Sequence, residues 1–165
     1  MPQTVQQSGV EARLADLLVD DVTWRYATRP RRSEWLQAIG ELCEEGVVSA
    51  PSASPLRVYV TVEATCIRVV FHDPHGAQVG RLELPRPIIA PVFREYMALL
   101  TAIGTQGTAG YSPQVEALDI ARRLMHNDAA ELVMRHATGV TPDLETARRL
   151  FTLFVLLTHD TTKLV

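Results

Sequence analysis

The chain of 165 residues contains a single lysine, Lys163, and only two cysteines, Cys43 and Cys66. There is no CxxC, and neither cysteine stands beside a histidine at ligand spacing. A disulfide scaffold and a recognisable zinc motif are therefore excluded, and the cysteines read as reduced thiols. Aromatic residues are 6% of the chain, and its 9 Gly and 10 Pro fit neither a collagen-like nor a low-complexity sequence. No stretch matches GxGxxG, GxxxxGK followed by Ser or Thr, GxSxG or HExxH, so the usual nucleotide-cradling, nucleophile-elbow and metalloprotease motifs are missing. The longest dense apolar run, Leu150 to Leu157, is far shorter than the ~20 residues of a membrane span. Met1-Pro2-Gln3-Thr4 lacks the basic start and apolar run of a signal peptide. The expectation is a cytoplasmic protein with no membrane association, no metal and no cofactor. Sixteen Lys and Arg against 19 Asp and Glu give a charge of -3, which argues against a general nucleic-acid binder.

What is present is an ordinary globular composition, 47% hydrophobic and long enough for one domain. Residues 1–9 are polar and read as a flexible start, 10–160 as a single α+β domain and 161–165 as a tail. Glu11 to Val22 fits a strand slightly better than a helix. Trp35, Leu36, Ile39, Leu42 and Cys43 recur at helical spacing within Arg31 to Glu45, with Gly46 as a stop. Ser49 to Pro55 reads as a loop. Val58 to Val62, Ile67 to His72 and Val79 to Leu84 alternate as strands joined by short turns, one of them Asp73-Pro74-His75-Gly76. Pro85, Pro87 and Pro91 delay the next helix to about Pro91, and Thr105 to Gly110 reads as a flexible link. Ser112 caps a helix whose buried face is read as Val115, Leu118, Ala121, Leu124, Met125, Ala129, Leu132 and Val133. Thr141 opens the last helix, apolar nearly all round. The predicted fold is a small antiparallel β-meander of three to four strands, with a helix before it and a three-helix C-terminal half packed on one face.

The densest polar cluster is Asp119, Arg122, Arg123, His126 and Asn127. At ~100° per residue Asp119, the two arginines and His126 share one side of a helix. Arginine forks there suit a phosphate or carboxylate, and an acid can orient a histidine; i,i+3 and i,i+4 ion pairs account for the same residues without any ligand. Arg148 and Arg149 form a second pair, with Arg148, Thr152, Val155 and His159 close on one face. Trp24, Tyr26, Arg29, Arg31 and Arg32 make a short basic, aromatic stretch of the sort that binds single-stranded nucleic acid, or that packs as an arm on its own domain.

The run Gln114 to Asp128 resembles the signature of the UPF0262 family of bacterial proteins, with Gln114, Glu116, Asp119, Arg122, Arg123, His126 and Asn127 at matching positions. A second block, Asp143 to Leu153, is similar to the family's closing helix, and His159 stands near its final histidine. The chain departs from the pattern between Met97 and Gly110, which is less aromatic, and in continuing past His159. The resemblance implies a cytoplasmic bacterial protein and supplies no activity.

The function expected from these residues is a non-catalytic binding or regulatory module, acting through a protein partner, a second copy of itself or a small anionic ligand. Arg122, Arg123, Asn127, Arg148, Arg149 and His159 are the ligand-binding candidates. One alternative is an enzyme on an anionic substrate, with His126 as acid or base, Asp119 orienting it and the arginines as a clamp. Another is an RNA- or ribosome-associated factor.

Overall fold

The computed structural model describes residues 9–105 and 112–163. The expected flexible start at 1–8, most of the expected link at 106–110 and the last two tail residues, 164–165, lie outside the described residues.

The N-terminal segment is a strand, β1 (Val10–Val19), that serves two neighbours. Its first half pairs antiparallel with β2 (Val47–Ala50), Val10 opposite Ala50. Its second half pairs parallel with β3 (Leu56–Val62), Leu17 opposite Val58. The register slips between Leu14 and Asp16, so the buried side chains run Ala12, Leu14, then Leu17. A one-residue bulge thus keeps both halves facing the same core.

Between β1 and β2 lie α1 (Asp21–Tyr26) and α2 (Arg29–Glu45). The Asp20 carboxylate caps α1, accepting from the Thr23 amide at 2.9 Å, and ties it to β3 by accepting from the Val62 amide at 3.1 Å. Helix α2 begins two residues before Arg31, at a Thr28 cap, and buries Trp35 and Leu42. β4 (Cys66–His72) and β5 (Gln78–Pro85) continue antiparallel from β3. Helix α3 (Arg86–Thr105) starts well before Pro91, with Pro87 in its first turn and Pro91 exposed inside it. Helix α4 (Pro113–Arg135) is capped by Ser112. Two-residue strands β6 (Ala137–Thr138) and β7 (Thr141–Pro142) precede α5 (Leu144–Thr158), whose cap is Asp143 rather than Thr141.

The sheet order is β6-β5-β4-β3-β1-β2-β7, seven strands with one parallel pair. This overturns the expected small antiparallel meander of three to four strands with one helix before it. The physical reason lies at the edges. β6 and β7 are opposite edges, yet only Gly139 and Val140 separate them in sequence. Laid flat, edge strands of a seven-stranded sheet stand about 29 Å apart, at roughly 4.8 Å per strand. Three residue steps reach at most about 11 Å. The sheet therefore curls until its edges nearly meet, almost a barrel. Gly139 makes that closure possible: its φ is +81°, and a Cβ there would lie 2.5 Å from the Val79 carbonyl oxygen.

One continuous core fills this shape. Val58 and Val60, Ile67, Val69 and Phe71, and Leu82 and Leu84 alternate inward from the strands. Helix α5 carries Leu150, Phe151, Leu153, Phe154 and Val155 into the same core and packs against α2 and α4. Each such side chain contributes about 1.5 to 3 kcal/mol on burial. The one buried polar side chain among the described residues, Thr146, accepts a hydrogen bond from the Val47 amide at 2.8 Å, which pins α5 to β2.

Candidate functional site

Helices α4 and α5 bring His126, Arg148 and Thr152 together. His126 Nε2 lies 3.0 Å from both the Arg148 carbonyl oxygen and the Thr152 hydroxyl. A carbonyl oxygen carries no proton, so Nε2 must hold the hydrogen and donate it. The Thr152 hydroxyl donates to the same carbonyl at 3.1 Å. The ring packs at a tilt against both Tyr96 and Phe151, each with its centroid 5.7 Å away, and those two rings also meet each other edge-on. Burial, with the Arg148 and Arg122 charges, pulls the His126 pKa below the ordinary histidine value; the Arg148 carbonyl opposes this only in part. His126 is thus a neutral, hydrogen-bonded wedge between two helices.

A pH dependence follows. The unfolded chain takes up the proton at about pH 6.5, before the native state does. Stability is therefore full above that pH and falls as pH drops toward the folded value; His159 acts in the same direction, its pKa also lowered by burial. Urea unfolding should give a plateau from about pH 7 upward and lower stability near pH 5, with a shallower loss in His126→Gln. Equal or greater stability at pH 5 would contradict the assignment.

Asp119 does not touch His126. Its carboxylate accepts from Arg122 at 3.0 Å and from Arg123 Nε at 3.0 Å, and these two arginines, Arg123 foremost, hold its pKa below the usual carboxylate range. Arg148 pairs with Glu145 at 2.8 Å, and Arg149 reaches Glu45 on α2. All four candidate arginines are thus engaged by carboxylates on the protein itself. Asn127 keeps its Oδ1 buried without a hydrogen-bond partner. His159 stands elsewhere: eleven residues beyond Arg148, about 16 Å along the helix direction, it packs edge-on against Phe93 at 5.5 Å. Among the described residues, no three of His, Cys, Asp and Glu are grouped to hold a metal. The arginine-aromatic stretch folds back on its own chain: Arg32 donates to the Trp24 and Arg25 carbonyls at 2.9 Å, and Arg31 lies over the Trp35 ring.

A larger opening among the described residues lies elsewhere. Between α3 and α4 runs a groove of about 820 Å³, walled by Ile88, Val92 and Leu99 on one side and Leu124, Met125 and Leu132 on the other. Neither His126 nor any of the four arginines lines it. Leu124, placed by its spacing on the buried face, is 60% exposed, and Ile120 and Ile88 are 48% and 45% exposed nearby. Helix α3 is long and apolar enough to cross a membrane by length and composition, yet it turns only Ile89, Phe93 and Tyr96 fully into the core. The signal for this face was available in α4, where Ile120 and Leu124 widen the apolar stripe beyond what one packed face needs.

A profile of the uncharacterised protein family UPF0262 matches residues 11–160. The chain belongs to the UPF0262 family. A UPF0262 protein of Acidiphilium cryptum is 43% identical over 151 residues, covering 90% of this chain and 93% of the relative. One from Novosphingobium aromaticivorans is 28% identical over 163 residues, covering 89% and 96%. One from Sphingopyxis alaskensis is 40% identical over 106 residues, covering 64% of each. No solved structure matches. The family description assigns no activity, so the UPF0262 groove and polar cluster are read from their own chemistry.

Proposed function

We propose that this protein is a non-catalytic binding module that takes an amphipathic helix of a protein partner into the α3–α4 groove. The observation that carries the reading is the groove itself, with Leu124, Ile120 and Ile88 exposed along one face. Contiguous exposed apolar surface of this kind marks interaction sites on soluble proteins. The α4 wall runs from Ala121 to Arg135, about 21 Å at 1.5 Å per residue, which fits a partner helix of about four turns. Glu95 on one wall and Asp128 on the other face the same channel, with Arg135 at its end. A helix with apolar anchors at i, i+3, i+4 and i+7 and an interposed lysine or arginine complements that pattern. Catalysis is disfavoured by the same geometry: the arginines are bridged, and His126 is packed, neutral and bonded through Nε2.

The test is selection of helical peptides from a displayed library on the full-length chain. Selected peptides should carry that apolar spacing with a basic residue between, and bind with a Kd of about 1 to 100 μM. Glu95→Lys and Asp128→Lys should weaken them at least ~10-fold, the loss of two charge complements. No enrichment, enrichment indifferent to both charge reversals, or a chain whose groove is already filled by a second copy would each overturn the reading.

A further inference from the structure

We infer that Arg86, with Arg31 and His159, forms a separate oxyanion site that takes the phosphate or carboxylate head of a small molecule. The three residues come from the start of α3, the first turn of α2 and the C-terminal cap of α5. Helical spacing sets Arg86 on the same face of α3 as Ile89 and Phe93, both buried. Phe93 is the ring against which His159 packs, so the face that carries Arg86 leads directly to the histidine. Arg31 arrives from the other side, donating through Nη2 to the Leu156 and Leu157 carbonyls at 3.2 and 3.3 Å.

The cations here lack what the other arginines have. Arg86 Nη1 and Arg31 Nε are buried with no hydrogen-bond partner, and neither arginine makes an ion pair with a described residue. A buried guanidinium N–H without an acceptor is uncommon and marks a place for a water or an ion. At this end of α5, Glu34 accepts from the Thr161 hydroxyl at 2.7 Å, and Asp160 accepts from the Thr162 amide and hydroxyl. His159 directs Nδ1 to the Thr158 hydroxyl at 2.9 Å, and because that hydroxyl donates to the Phe154 carbonyl, Nδ1 holds the proton. Nε2 becomes a donor to an anion only when the ring is protonated, a state that a bound anion favours. The Arg86 charge, and after it that of Arg31, adds to burial in lowering the His159 pKa, as uncompensated positive potential must. At the start of α3, Pro85 and Pro87 have no N–H and the Arg86 amide donates to the Thr65 carbonyl, which leaves the Ile88 amide to add to the same field. Arginine's planar fork matches either a carboxylate or a phosphate in a bidentate manner. None of the three residues lines the α3–α4 groove, so this site stands or falls independently of the helix-binding reading.

The experiment titrates inorganic phosphate and, separately, oxalate into the full-length chain while the His159 imidazole is followed by NMR, with sodium chloride at matched ionic strength as the control. A saturable shift with a Kd of about 1 mM or tighter is expected. Arg86→Gln should weaken it at least ~10-fold, and Arg86→Lys, which keeps the charge and loses the fork, by a smaller factor. Arg123→Gln, an exposed and bridged arginine, should leave the affinity unchanged. Saturation by phosphate alone assigns a phosphoryl head, by oxalate alone a carboxylate head, and either result upholds the site. A shift that chloride reproduces, no saturation with either anion, or equal affinity in folded Arg86→Gln and Arg86→Lys overturns it.

Discussion

Phe151→Ala is expected to destabilise the protein by about 3 to 5 kcal/mol, the cost of losing a buried aromatic ring and leaving a cavity. Phe151 is fully buried on α5, and three rings meet it: Phe93 at 5.7 Å, Tyr96 edge-on at 5.2 Å and His126 at 5.7 Å. Because these come from α3 and α4, the cavity loosens both helices at once and the site cannot collapse by moving one. For a chain of this size that loss lowers Tm by about 10 °C or more. A second readout belongs to the same change. With the ring gone, water reaches His126, and its pKa should climb back toward the ordinary histidine value. Denaturant unfolding measures the first effect and the His126 NMR titration the second. A loss under about 1 kcal/mol would mean that α5 is not the centre of the core.

Gly139→Ala is expected to cost about 2 to 4 kcal/mol, combining left-handed backbone strain with a steric clash. A Cβ at 2.5 Å from the Val79 carbonyl oxygen and 3.1 Å from the Gly80 Cα meets backbone on both counts, so β5 itself must shift. The comparison is Gly76→Ala. Gly76 has nearly the same φ, +83°, but nothing lies within 4 Å of its Cβ position. Gly76→Ala should therefore cost only the strain, about 1 kcal/mol. The difference between the two variants isolates the close approach that shuts the sheet. Equal losses would show that Gly139 matters only for its dihedral angle and that the edge strands do not depend on the fit.

The strands β3, β4 and β5 were legible because each alternates cleanly and the turns between them carry Pro and Gly where such turns need them. The larger sheet was not. β2 is four residues long and merges into the Ser- and Pro-rich run after Ser49, while β6 and β7 have two residues each, too short for any period to register. The parallel β1–β3 pair joins strands separated by two helices and β2, a relation that local pattern does not encode. Helix α3 began five residues before Pro91 although that proline removes the bond to the Pro87 carbonyl and crowds it, a cost offset by the burial of Ile89, Phe93 and Tyr96 on the opposite face. The pairs of Asp119 with Arg122 and Arg123, and of Glu145 with Arg148, were legible as i,i+3 and i,i+4 spacings, whereas the partner of Arg149 was not. Glu45 lies on α2, 104 residues before Arg149, and only the fold sets them together. Arg86 stood in a proline-rich stretch that reads as a connector, so its buried, unpaired nitrogen had no signal in the sequence.

The α3–α4 groove is read as the working surface, whereas His126 braces α4 to α5 and the four arginines pair with carboxylates of their own helix or of α2. The measurement that separates the two is the affinity of one selected helical peptide for Leu124→Glu and for Arg123→Gln, each compared with the unaltered chain. Both side chains are more than half exposed, so neither change should disturb folding, and matching thermal unfolding curves verify this. Binding at least ~10-fold weaker in Leu124→Glu and within about twofold in Arg123→Gln is the predicted result. Peptide affinity that survives Leu124→Glu and collapses in Arg123→Gln would contradict it and return the site to the arginines.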